Sequence, residues 1–494
     1  MILEKKRRIE FGDFQTPDTL AVHLCEHLYR LGLRPDTIIE PTCGVGAFVL
    51  AAAHTFTDAR KVFGFEVNET YLGMLRARLV NDPVAARVQI EHADFFATDW
   101  EAKTNAMNGR LLVVGNFPWV TNATQGTIGG KNLPVKSNCL GFSGFDAISG
   151  KANFDISEWM LLDVLRWLSV RGGDVAMLIK TSVARKVLAH AERRRYPVMD
   201  AAIIEIDAKK HFGASVNACL LVIQLDIGVS ASYDYTVFKS LEDRQGRRVG
   251  HRYGLTVSDL DTFHACASLV GQSPQKWRSG IKHDASAVME LTRCASSYEN
   301  GFGESVELED LYLFPLLKGS DIGSNKEWRE KFVLVTQRTV GEDTSPIQSH
   351  APRTWAYLQD HADQLDARRS RIYSKNPRFS VFGVGDYAFK PWRIAICGLY
   401  KALKFRLVPP MDGRPVMFDD TVYYLSFDTE DDACQTLAII ESHNATDLLL
   451  SLIFWDEKRP IKTSILNVLD WSQLQEEKSA IAVTEKNRSS LPMT

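Results

Sequence analysis

Over the first 240 residues, short apolar runs alternate with stretches whose apolar residues recur every three or four positions, and this alternation restricts the chain more than any other feature. The segments "TIIEP" (37–41), "KVFGFE" (61–66), "RVQIEHADF" (87–95), "LLVVGN" (111–116), "GDVAMLIK" (173–180), "AIIEID" (202–207) and "CLLVIQL" (219–225) read as strands. Between them "DTLAVHLCEHLYRLGL" (18–33) places Leu20, Leu24, Leu28 and Leu31 on one helical face, with Thr16 as the expected cap and Pro17 at the first helical position. The segments "GAFVLAAAHTF" (46–56), "NETYLGMLRARLV" (68–80) and "DISEWMLLDVLRWL" (155–168) are further helices. Such alternation predicts an α/β fold with a parallel, doubly wound sheet covered on both faces. The last two strands are too close in sequence for a crossover, so a hairpin at one sheet edge is expected.

The alternation weakens at "DRQGRRVGHR" (243–252), which reads as a linker. Beyond it, "KFVLVTQ" (331–337), "RFSVFGVGDYAF" (378–389), "WRIAICGLY" (392–400) and "DDTVYYLSF" (419–427) are expected strands, and "DACQTLAIIESH" (432–443) a helix, which together suggest a second α+β domain. The expected division is residues 1–242, residues 253–475 and a polar tail, 476–494.

The chain has 494 residues, ample for these domains, with 45% apolar and 24% charged residues, an ordinary globular composition. No apolar run approaches the roughly 20 residues that cross a bilayer, and "MILEKKRRIEFGDF" has no apolar signal core behind its basic residues. A soluble, cytoplasmic protein is expected, without a membrane partner. The eight cysteines stand singly, with no C-x-x-C pair and no histidine cluster at metal spacing, so reduced thiols and no metal are expected. A net charge of −3 gives no global basic field. Locally, residues 351–406 hold eleven Lys or Arg against four Asp, a balance of +7, interleaved with Trp355, Tyr357, Tyr373, Phe379, Phe382, Tyr387, Phe389 and Trp392. That mixture suits a phosphate backbone and its bases, and equally a solvated face around an aromatic core.

In "TIIEPTCGVGAFVL" (37–50) a strand meets a glycine turn and then a helix. Gly44 and Gly46 permit close approach of a ligand to the backbone. Glu66, closing the next strand, can accept from both hydroxyls of a ribose, and the third strand ends in Asp94 for an adenine amino group and Phe95 for its ring face. A pyridine dinucleotide usually meets a third glycine where this chain has Val49, and there is no P-loop lysine. The pattern suits an adenosine without polyphosphate, and S-adenosylmethionine is the expected cofactor. The fourth strand of the series delivers "NFPW" (116–119), an amide beside a rigid kink and a flat ring, which suits a planar, amino-bearing ligand and equally a loop whose Trp119 packs into the core.

Taken in order, "DFQTP" (13–17), "EPTCGVGAF" (40–48), "FEVN" (65–68), "ADFF" (93–96), "NFPW" (116–119), "NFDISEWML" (153–161) and "HFGASVNACLLVI" (211–223) resemble the motifs of the N6-adenine DNA methyltransferases of type II restriction–modification systems, in the gamma-type order with the cofactor region first. In the second half, "PLLKGSDI" (315–322) and "RFSVFGVGDYAFKPWRIAICGLYK" (378–401) resemble their target recognition region. The resemblance implies a class I S-adenosylmethionine-dependent catalytic domain, of Rossmann-like fold, followed by a C-terminal α+β target recognition domain. It places Gln15, Thr16 and Pro17 beside the methionine part of the cofactor, Glu40, Thr42, Gly44 and Gly46 around its centre, Glu66 at the ribose, and Asp94 with Phe95 at the adenine. Asn116, Phe117, Pro118 and Trp119 would hold a flipped target adenine, with Phe212 facing it from the other side. Phe117 departs from the family, which usually has Pro there.

For double-stranded DNA, Arg368, Arg369 and Arg371 are expected at the backbone and Arg378 and Arg393 at base edges. The motifs begin at once, so a cognate restriction endonuclease is expected as a separate chain, and the methyltransferase as a monomer. Methylation of RNA or of a protein glutamine, N4-cytosine as target, and a catalytically inactive DNA-recognition subunit are the competing readings.

Overall fold

Strand β1 (Thr37–Glu40) is buried along its whole length, as an apolar run at the centre of a parallel sheet must be. It lies between β2 (Lys61–Glu66) and β4 (Leu111–Asn116), parallel to both, with Ile38 opposite Val62 and Leu112. The computed structural model describes residues 15–119, 155–214 and 216–472. The expected tail, 476–494, lies outside these residues, as do Cys139 and the first residues of the "DFQTP" and "NFDISEWML" motifs. The chain divides into two units, Met1–Thr256 and Val257–Thr494.

The first unit is built on a sheet of ten strands. Besides β1, β2 and β4 these are β3 (Val88–His92), β5 (Gly173–Lys180), β6 (Val198–Ile206), β7 (Ala218–Leu225), β8 (Tyr235–Phe238), β9 (Arg247–Arg252) and β10 (Leu255–Val257), in the order β10-β9-β8-β6-β7-β5-β4-β1-β2-β3. Strands β3, β2, β1, β4 and β5 run parallel, and β7 is antiparallel to both β5 and β6. The expected hairpin is present, but it is internal. Strand β8 pairs with β6 and β9 with β8, so the segment read as a linker instead supplies β9.

Helix α1 (Asp18–Arg30) packs on α2 (Ala47–Thr55), burying Leu20, Leu24 and Leu28, while Leu31 falls beyond the last turn and is exposed. Pro17 stands at the N-cap and makes no side-chain cap bond, so the helix starts at Asp18, one position later than expected. Helices α3 (Glu69–Leu79), α4 (Trp100–Asn105), α5 (Ile156–Leu168), α6 (Thr181–Arg194) and α7 (Ala208–Phe212) complete the coverage of the sheet.

The second unit holds two sheets. One has the order β11-β20-β17-β18, formed by Arg278–Ser279, Val422–Phe427, Trp392–Cys397 and Arg406–Val408, antiparallel throughout. The other has six strands, with β15 (Leu313–Leu317) and β16 (Lys331–Leu334) near its centre. "RFSVFGVGDYAF" is not a strand. Phe379 and Gly383 take positive φ, which breaks extended pairing, and Asp386–Phe389 closes into a short 3-10 turn. Among the described cysteines none is in a disulfide; Cys25, Cys43, Cys219, Cys266 and Cys397 are buried, and Cys294 and Cys434 are exposed. No helix of the described residues is long and apolar enough to cross a membrane.

Candidate active site

The carboxyl ends of β1 to β4 open on one cavity, the place where ligands bind in open α/β sheets. Glu40 and Thr42 come from the end of β1, Glu66 from β2, Asp94, Phe95 and Phe96 from the turn after β3, and Asn116, Phe117 and Pro118 from β4. Gln15, Thr16, Tyr71 of α3, and Ile156 and Met160 of α5 close the wall. Tyr71, Ile156 and Met160 were not singled out from sequence, because a tyrosine on an amphipathic helix and two apolar residues in a helical stripe carry no ligand signal of their own.

The glycine turn is held by Glu66. Its Oε2 accepts from the Gly44 N–H at 2.9 Å and its Oε1 from the Asn68 N–H at 2.9 Å. Gly44 has φ +52°, and a Cβ there would lie 2.7 Å from Gln15 Oε1. Gly46 serves a different purpose from the one expected. It does not line the cavity, and with φ +87° it caps α2 so closely that a Cβ would fall 2.1 Å from Leu75 Cδ1. Pro17 is likewise outside the cavity wall, starting α1. Glu40 is fully buried, and its Oε2 accepts from the Val49 N–H at 2.8 Å. Burial pushes its carboxyl well above the usual carboxylate range; the Val49 bond opposes that and nearby Glu66 adds to it. Asp94 Oδ1 accepts from the Phe96 N–H at 2.9 Å.

Asn116 ends β4 and its Nδ2 donates to Thr16 Oγ1 at 3.3 Å. Phe117 is buried against Phe95 (ring centroids 5.6 Å), which itself contacts Trp100 and Trp167, so the floor of the site is a rigid aromatic block. Trp119 and Phe212, expected on opposite sides of a target base, instead touch each other edge to face at 5.1 Å, and neither lines the cavity. Each ring covers the apolar surface of the other, and no third ring fits between them in this arrangement. Lys180, at the end of β5, donates to the Trp119 carbonyl at 3.3 Å and pairs with Asp155 at 2.5 Å, joining the tetrapeptide to the cap of α5. The signal for it was present in the sequence as a lysine closing a fully apolar strand end.

No family model matches the chain. It is 46% identical over 470 residues to the type II methyltransferase M.NspV of Nostoc sp., an alignment that covers 94% of this chain and 97% of that protein. The chain belongs to the type II methyltransferases. A shorter match, 30% identical over 122 residues, covers 25% of the chain and 28% of the type II methyltransferase M.CvrRI of Paramecium bursaria Chlorella virus XZ-6E. The structure of the type IIL restriction–modification enzyme MmeI in complex with DNA shares the fold, with a TM-score of 0.52 at 13% identity, over 94% of this chain and 65% of that one.

The fold is therefore that of a class I S-adenosylmethionine-dependent methyltransferase, in a restriction–modification system, with S-adenosylmethionine as cofactor. The cavity suits that molecule. Thr42 Oγ1 is buried in its wall without a hydrogen-bond partner among the described residues, Asp94 and Glu66 offer acceptors for amino and hydroxyl groups, and Phe95, Ile156 and Met160 supply apolar surface.

In the second unit of this methyltransferase the expected DNA-binding arginines fare unequally. Arg393 lies in β17 at 0% exposure, donating to the carbonyls of Trp392 and Ala388, and burial lowers its pKa to about 10; it is a core residue and reaches no base. Arg368 is half-buried and spends its donors on the carbonyls of Leu365, His283 and Ser380. Arg378 is exposed but forked onto Asp366 (2.7 and 3.3 Å) and Gln359. Arg369 and Arg371 are exposed, as a phosphate contact requires.

Proposed function

We propose that the chain methylates the exocyclic N6 of adenine, flipped out of double-stranded DNA, as the modification enzyme of a restriction–modification system. The observation that carries this reading is Asn116 on the cavity wall at the end of β4, tied through its Nδ2 to Thr16, with the Phe117 main chain following. An adenine amine is a weak nucleophile because its lone pair is delocalised into the ring. Asn116 Oδ1 and the Phe117 carbonyl, as acceptors for the two amine hydrogens, draw the nitrogen toward a geometry in which the lone pair can attack. Phe117 supplies that carbonyl as well as Pro does. The cofactor supplies a methyl group on a good leaving group. With S-adenosylmethionine bound, an amine so oriented would take up that methyl group, and the N6 proton it loses would pass to water.

Gln15, Thr16, Thr42 and Gly44 hold the cofactor's amino-acid side in this reading, Glu66 its ribose, and Asp94 with Phe95 its adenine. The target base costs a few kcal/mol to rotate out of the stack. Stacking on Trp119 and Phe212 offsets roughly 1–3 kcal/mol per base face once those rings part. The second unit serves as target recognition domain, and the cognate endonuclease is a separate chain.

The purified chain, given labelled S-adenosylmethionine with duplex DNA, RNA or protein, should label DNA alone, with N6-methyladenine as the labelled base. Label in N4-methylcytosine, in RNA or protein, or in nothing, overturns the reading.

A further inference from the structure

An arginine that reads a base must keep its planar fork free, reach solvent and be held in place before the DNA arrives. Most arginines of the second unit fail the first condition. The guanidinium groups of Arg293, Arg329, Arg353 and Arg378 lie against carboxylates, and those of Arg368 and Arg393 are spent on main-chain carbonyls.

Arg278 and Arg338 meet all three. Both are exposed, and neither side chain makes a hydrogen bond or ion pair among the described residues. Each instead lies over an aromatic ring of the same 3-10 turn, Asp386–Phe389: Arg278 over Tyr387, with Cζ 4.8 Å from the centroid, and Arg338 over Phe389, at 4.1 Å. The rings are themselves fixed. Tyr387 donates its hydroxyl to the Val384 carbonyl at 3.2 Å, and Phe389 packs edge-on against Phe314 at 5.4 Å. The backbones are fixed too. Arg278 pairs with Tyr424 in the sheet, and the main-chain N–H of Arg338 is bound by Glu342 at 2.7 Å.

A guanidinium over a ring gains cation–π attraction through its face while its N–H donors, which lie in its plane, remain available at its edge. We infer that Arg278 and Arg338 are specificity-determining residues, each pairing bidentately with the O6 and N7 acceptors of a guanine in the major groove of the target site, on the aromatic platform of Tyr387 and Phe389. This rests on the reading of DNA as substrate. It moves the base-reading role from Arg378 and Arg393 to two arginines outside the basic segment 351–406, and it explains why that segment is rich in aromatics: part of it is the platform, and the arginines come from elsewhere in the unit.

The test uses the full chain on a randomised duplex library, sequencing the methylated molecules. Wild type should require a G·C pair at two or more positions of its site. R278K and R338K keep the charge but lose the fork, so each should reduce discrimination at one of those G·C positions by at least about tenfold, a different position for each, leaving the rest of the site unchanged. Y387L and F389L keep the arginines and loosen the platform, and should relax the same positions less. Unchanged profiles in both lysine variants, or a uniform loss over all sequences such as a phosphate contact would give, overturn the inference, as does a wild-type site without required G·C pairs. A thermal melting profile equal to that of wild type reports that each variant is folded. A wild-type chain that methylates no DNA is the failure of the functional reading, visible before any variant is made.

Discussion

Asn116 and Thr16 stand a hundred residues apart in sequence and are joined side chain to side chain, the Asn116 Nδ2 donating to Thr16 Oγ1 at 3.3 Å. An amide has a donor end and an acceptor end, and anchoring the donor end determines where the acceptor oxygen points. Removing the oxygen and removing the anchor should therefore differ in degree. Asn116→Ala is expected to lower turnover by at least ~10²-fold with cofactor affinity nearly unchanged, the usual cost of a lost transition-state hydrogen bond. Thr16→Val, which keeps the shape and loses the hydroxyl, should lower turnover about tenfold, since the amide is misoriented only part of the time. Single-turnover kinetics beside calorimetry on the cofactor separates the two effects, and near-normal turnover in Asn116→Ala would remove the residue from the proposed chemistry.

Glu66 holds both flanks of the cofactor site at once, through Gly44 and Asn68. Each carboxylate oxygen has two lone pairs, so one backbone N–H on each still leaves an acceptor for a ribose hydroxyl. Glu66→Ala is thus expected to weaken S-adenosylmethionine by roughly 1.5–3 kcal/mol and, in addition, to lower the melting temperature of the cofactor-free protein, because two N–H groups lose their acceptor. A variant with weakened cofactor binding and unaltered melting would show that the turn does not depend on Glu66.

Lys180 reaches both the Trp119 carbonyl and Asp155. The pair is mostly buried, and Asp155 also caps α5 through Ser157. Lys180→Met should leave cofactor affinity within about twofold and lower kcat by about 10- to 100-fold, the scale on which misplacement of a substrate-positioning loop acts. Lys180→Arg should recover part of that loss. A change confined to thermal stability, with kcat intact, would make the lysine a packing residue only.

Part of the cavity wall was legible because Glu40, Glu66, Asp94 and Asn116 each sit at or just beyond the end of a strand that the apolar pattern already marks, so one correct reading of β1 to β4 brings these four together. What escaped depends on partners from other segments. Gly46 faces Leu75 of α3, a contact invisible in the local turn, and Arg378 is matched to Asp366 twelve residues earlier by chain folding that local sequence does not encode. Arg393 looked like a flank of an apolar segment, yet it falls inside β17 opposite Ser426 and Val408 and is buried with the strand. A tally of charge over residues 351–406 counts such side chains as available when their donors are already used.

Glu40 gives a pH dependence with a definite sign. Burial raises its carboxyl well above the usual range, so the folded protein holds this proton more tightly than the unfolded chain does. The stabilisation linked to such a group is complete below the unfolded pKa, near 4.5, and is lost as pH rises toward the folded value. At pH 8 the wild-type protein therefore bears the cost of a buried carboxyl either kept protonated against the solvent or ionised in a poor environment. Glu40→Gln keeps an oxygen to accept the 2.8 Å bond from the Val49 N–H and has no proton to lose. The cofactor-free variant is expected to melt higher than wild type at pH 8, with the difference shrinking steadily as the pH is lowered toward 4.5. Melting curves of both proteins across that range, in one buffer series, give the difference directly. A difference that stays constant with pH would mean that Glu40 titrates as an ordinary carboxylate despite its burial, and a variant less stable than wild type at pH 8 would mean that the ionised carboxylate is itself a stabilising acceptor for the Val49 N–H.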